Sequence, residues 1–107
     1  MSAVNEAPNS ARGEAALEVA GEALRLRPSF AALVAAEQEL GPLFELVDRA
    51  AAGKLSLADM AGLFWHCLAD APVGLTRERL GEAIVEAGLA KLSPVLSGII
   101  RQILGGR

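Results

Sequence analysis

Tyrosine is absent, and cysteine, histidine and tryptophan each occur once in the chain. A single cysteine, Cys67, cannot form an internal disulfide, which points to a reducing compartment. One histidine and one cysteine cannot furnish a tetrahedral zinc site without several carboxylates. His66 and Cys67 are adjacent, so on a helix they diverge by about 100° and cannot converge as a catalytic pair. No phosphate loop, dinucleotide fingerprint or metal-ligand cluster is present, and no cofactor or enzymatic activity is expected. No apolar run approaches the ~18 residues of a membrane span. The first residues, MSAVNEAPNSA, lack the charged start and apolar middle of a signal peptide, so a cytoplasmic location is expected. The net charge of -3 argues against a general polyanion binder while leaving room for a local basic patch.

Alanine and leucine dominate a chain that is 52% hydrophobic over 107 residues. That length suits one domain, and that composition suits helices packed on helices. The stretch Leu57 to Leu68 organises the rest. On a helix, Leu57, Met60, Ala61, Phe64 and Leu68 fall along one stripe, flanked by Trp65 on one side and by Leu63 and Cys67 on the other. So wide an apolar arc predicts a central helix with Met60, Phe64 and Leu68 buried. Ser56 is its N-cap, with Asp59 completing a capping-box-like pair. Asp59, Gly62 and His66 mark the wet side. His66 is expected to be substantially exposed and to face Asp70, one turn on.

Residues 1–11 are small and polar and read as a disordered tail. From 12 to 27, Ala15, Leu17 and Val19 alternate with Glu14, Ala16 and Glu18; Leu24 and Leu26 alternate with Arg25 and Arg27 across a Gly21-containing turn. Period-two patterning predicts a β-hairpin, with Glu14 and Glu18 facing Arg25 and Arg27 on its outer face. A helix over Glu14 to Arg25 is the rival reading, because Ala, Leu and Glu favour helix.

Four further helices are expected, at about 29–40, 42–52, 77–87 and 94–104, beside the central one at 57–69. In the first, Phe30, Leu33, Val34 and Leu40 line one face, and Glu37 projects into it. Glu37 is therefore a candidate buried polar residue. Its partner is Arg25, Arg27 or the backbone at a helix start, or else it makes a polar contact in an interface. Pro42 opens the second helix, whose stripe is Leu43, Leu46, Val47 and Ala50 with Phe44 beside it. Thr76 caps a helix with Leu80, Ala83, Ile84 and Ala87 inside; its Arg and Glu residues read as a solvated face. Ser93 and Pro94 open the last helix. There Val95, Ile99 and Ile103 form one ridge, expected to face the core. Leu96, Ile100 and Leu104 form a second, the candidate protein interface. The fold class is thus α+β, mostly α, with an N-terminal hairpin on a bundle of about five short helices in a single domain at 12–107.

Several segments resemble, in order, a known family: RGEAALEV-AGEALRLRPSFAAL, AAEQELGPLFEL, LSLADMAGLFWHCL, LTRERLGEAIVEAGL and IIRQILGGR. This is similar to the small tail protein of gene transfer agents and related tailed phages or prophages, described as a phage tail tube protein or as a tail assembly chaperone. The resemblance spans about Ala11 to Arg107 and includes no catalytic motif. It implies a non-enzymatic role in building a tail, with the tape-measure protein and the tail tube protein as partners. A homo-oligomer is also open, and neither nucleic acid nor membrane is implied. As a chaperone the chain would cover the hydrophobic tape measure until tube subunits replace it. As a structural tube component it would need a sheet able to close into a ring, which one hairpin does not supply. A small helical DNA-binding regulator using Leu75 to Leu89 is a further alternative. Against it, Glu78, Glu82 and Glu86 offset Arg77 and Arg79 and would repel phosphates.

Overall fold

The computed structural model describes residues 15–19 and 22–105. The expected tail at 1–11, the first residues of the hairpin and its turn at Ala20–Gly21 lie outside the described residues. The element order is β1 (Ala15–Val19), β2 (Glu22–Leu26), α1 (Phe30–Leu40), α2 (Leu43–Ala51), α3 (Leu57–Cys67), β3 (Leu68–Ala69), α4 (Arg77–Ala87) and α5 (Leu89–Gly105). The fold is α+β and mostly α, with a small N-terminal sheet on a helical bundle, as the patterning implies.

Strands β1 and β2 pair antiparallel with Leu17 opposite Leu24. Alternation sends Leu17, Leu24 and Leu26 into the core and leaves Glu18 and Ala23 exposed. This settles the choice between hairpin and helix for these residues. Neither Glu18 nor Arg25 lies directly opposite a residue of opposite charge, while the expected pairing of Glu14 lies outside the described residues. Arg25 lies opposite Ala16, Glu18 lies opposite Ala23, and Arg25 bonds Asp70. Asp70 is brought to Arg25 by a third strand that periodicity could not reveal: β3 pairs antiparallel with β2, setting Ala69 opposite Arg25 and Asp70 just beyond. The Arg27 N–H continues this pairing by donating to the Cys67 carbonyl at 2.7 Å.

The central helix therefore ends at Cys67, two residues early, because Leu68 turns extended to join the sheet. Its start is as expected, with the Ser56 hydroxyl accepting from the Asp59 N–H at 3.0 Å. Arg49 from α2 donates to the Asp59 carboxylate at 3.1 Å and ties the two helices together. Met60 and Phe64 are buried, whereas Leu68 is half-buried against the core. Helix α3 packs on α1 and α4; α4 and α5 in turn cover β1. Helix α4 keeps its expected limits and buries Leu80 and Ile84.

Two further helices depart from their expected faces or limits. In α1 the core face is Ala32 and Ala36, with Leu33 and Leu40 beside them, so Phe30 and Val34 point outward. Helix α1 is apolar or alanine at every position from Phe30 to Ala36. Close approach to α3 selects the small side chains for the contact. Helix α5 begins at Leu89, not at Pro94, and Pro94 lies within it. Starting earlier buries Leu92, and the Ala90 carbonyl left without its helical donor by Pro94 is on an exposed stretch where water can reach it. No single helix among the described residues is long and apolar enough to cross a membrane.

Candidate interaction surfaces

Among the described residues, no group of His, Cys, Asp and Glu side chains is placed to hold a metal ion. Cys67 is buried, and burial pushes its thiol up to about 12, so it stays protonated and is a poor nucleophile or ligand. An open cleft of ≈ 350 Å³ lies between the start of α1 and the end of α3, lined by Arg27, Ser29, Ala32, Ala35, His66 and Cys67. The Ser29 hydroxyl there is occupied, accepting from the Ala32 N–H at 3.2 Å as the α1 cap.

His66 is half-buried, not substantially exposed, and its partner is not Asp70. Its Nε2 lies 2.7 Å from Glu39 Oε1 on α1. Arg77, at the start of α4, donates Nη1 to the same oxygen at 2.7 Å and Nη2 to Glu39 Oε2. One carboxylate thus joins three helices. The guanidinium crosses α3 over Gly62, where a Cβ would lie 2.6 Å from Arg77 Nη2 and 3.2 Å from Leu40 Cδ2. Sequence spacing could not reveal a cluster drawn from residues this far apart. Its only trace is a glycine in mid-helix, which marks a close approach.

The Arg77 hydrogen bonds, followed by that of His66, hold the Glu39 carboxyl down at about 2, while Glu39 raises the Arg77 guanidinium. A depressed carboxyl means that the unfolded chain binds more protons than the folded one between the ordinary value of 4.5 and about 2. The contribution of the cluster to stability is therefore complete above that window and lost as pH falls through it. Urea midpoints measured across this acid range should fall less steeply for Glu39→Gln than for the parent chain. Equal slopes would mean that the cluster does not form in solution.

Glu37 is exposed, not buried, and neither Arg25 nor Arg27 reaches it among the described contacts. Its Oε2 accepts from the Leu43 N–H at 3.1 Å, the helix-start partner. Pro42 precedes α2 and has no side-chain group to cap it, so Glu37 takes over that duty from the preceding helix.

On α5 the ridges do not divide cleanly. Ile99 is fully buried, and Val95 and Ile103 pack against the core, but so does Leu96. Ile100 is half-buried outside that cluster, and Leu104 is 59% exposed. Of the residues expected to face outward, Ile100 and Leu104 remain as an i, i+4 pair. A larger apolar exposure, not foreseen from the sequence, lies on α1 and α2, where Phe30 is 85% and Phe44 79% exposed.

No curated protein and no solved structure matches the chain. A family model described as phage tail tube protein, GTA-gp10, matches residues 12–106. That match takes in the hairpin, every helix and the exposed apolar positions alike, and the chain belongs to this phage and gene-transfer-agent tail family.

Proposed function

We propose that this tail-family protein is a non-enzymatic assembly factor that binds the tape-measure protein in the bacterial cytoplasm while the tail is built. The observation that carries the reading is apolar surface in excess of the core, at Phe30, Phe44 and Leu104. Such surface on a small domain is costly in solubility and usually has a partner. Ile100 and Leu104 on α5 offer an aliphatic pair suited to an apolar helix. Ile100→Glu is expected to leave the domain folded, judged by circular dichroism, and to abolish co-purification with the tape-measure protein of the same element. Retained co-purification would overturn this contact.

The family's description favours a second reading, a structural subunit of the tube. Among the described residues the sheet of this chain is three-stranded with a final strand of two residues, small for a continuous wall. Mass spectrometry of purified particles separates the readings. An assembly factor is absent from mature tails, whereas a tube subunit is present in many copies.

A further inference from the structure

Charge and exposed apolar surface are unevenly distributed. From Pro28 to Asp48 the chain carries Glu37, Glu39, Glu45 and Asp48 and no lysine or arginine. Glu39 is committed to Arg77 and His66, and Glu37 to the Leu43 N–H. Glu45 and Asp48 remain exposed, with no ion pair among the described residues. Phe30, Val34 and Glu37 fall on one face of α1 at i, i+4 and i+7 spacing. The Glu37–Leu43 bond brings the end of that face to the residue before Phe44, and Asp48 follows Phe44 by one turn. Phe30 and Val34 thus form an exposed apolar patch on α1, and Phe44 with Glu45 and Asp48 an exposed aromatic and acidic patch on α2.

Helix α5 has the opposite character. Its 17 residues include Lys91 and Arg101 and no carboxylate. Both cations are exposed, and neither has an ion pair among the described residues. Ala90, Ser93 and Ser97 lie exposed on the same face as Arg101 and Leu104. Small side chains there leave room for an aromatic ring to approach the helix backbone, beside a guanidinium able to stack on it. Helix α1 packs on α2 and α3, whereas α5 packs on β1 and α4, so the two surfaces belong to different parts of the domain.

We propose that the Phe30–Val34–Phe44 face of one copy docks on the outward face of α5 of the next copy, with Glu45 and Asp48 meeting Lys91 and Arg101. Different patches meet, so the contact is heterologous and propagates head to tail into a ring or a filament. It draws on the same exposed phenylalanines and the same α5 face as the proposed tape-measure contact but is tested on the purified chain alone, so either can fail without the other.

Sedimentation of the full chain over a range of concentrations provides the test. Association is expected at about 0.05 M salt and should weaken by about 0.5 M, as ion pairs at an interface rim are screened. Lys91→Glu with Arg101→Glu, and separately Glu45→Lys with Asp48→Lys, should each give folded monomers. Mixed in equal amounts, the two charge-reversed proteins should associate again, since both contacts in the mixture are complementary. Phe30→Ser with Phe44→Ser should abolish association without changing the helical circular dichroism. A parent chain monomeric throughout, a mixture that stays monomeric, or association that survives loss of both phenylalanines would each overturn the proposal.

Discussion

Phe64→Ala is expected to lower stability by about 3–5 kcal/mol, the usual cost of truncating a buried aromatic. Phe64 is 0% exposed and sits on α3, the helix between α1 and α4. The neighbours are held from several directions, by the sheet through β3, by Arg49 on Asp59 and by the Glu39 cluster. A cavity at Phe64 can therefore collapse little, which favours the upper part of the range. A domain of this size has about 5–15 kcal/mol in total, so the variant should sit close to its unfolding threshold. The urea midpoint reads this directly. A midpoint equal to that of the parent would contradict the placement of α3 at the centre.

Where the sequence carries contrast, it places elements well. The alternation around Leu17 and Leu24 gives the right faces, and Thr76 and Gly88 bracket α4 at its true ends. In α1 the contrast vanishes, because a helix apolar on nearly every side has no pattern to say which side is inside. The decision falls to packing, which prefers Ala32 and Ala36 and turns Phe30 out. In α5 a clear local signal, Ser93 before Pro94, is overridden by the burial gained at Leu92. A two-residue strand at Leu68 is too short to show any period. The Glu39 cluster depends on helices meeting in space. For the same reason, the acidic aromatic face could be seen only after the helix had been turned the right way.

The last helix offers a sharp contrast between adjacent residues. Ile99→Ala is expected to cost about 2–5 kcal/mol, the range for removing a buried aliphatic side chain. Ile99 is 0% exposed and belongs to the core, while Ile100 is half-buried and stands outside it. Successive helical positions point about 100° apart, so the two side chains enter different surroundings. At Ile99 the α5 helix closes over β1 and α4, and truncation leaves a void there. Ile100→Ala removes a similar side chain where solvent already reaches it, and its midpoint should move much less. The two variants change the same chemistry by the same number of atoms, so helix propensity and denatured-state effects largely cancel between them. Equal losses would mean that α5 is rotated about its axis, that Ile100 is core, and that neither the tape measure nor a second copy can use it. A large loss at Ile99 alone keeps the outward face of α5 free for a partner.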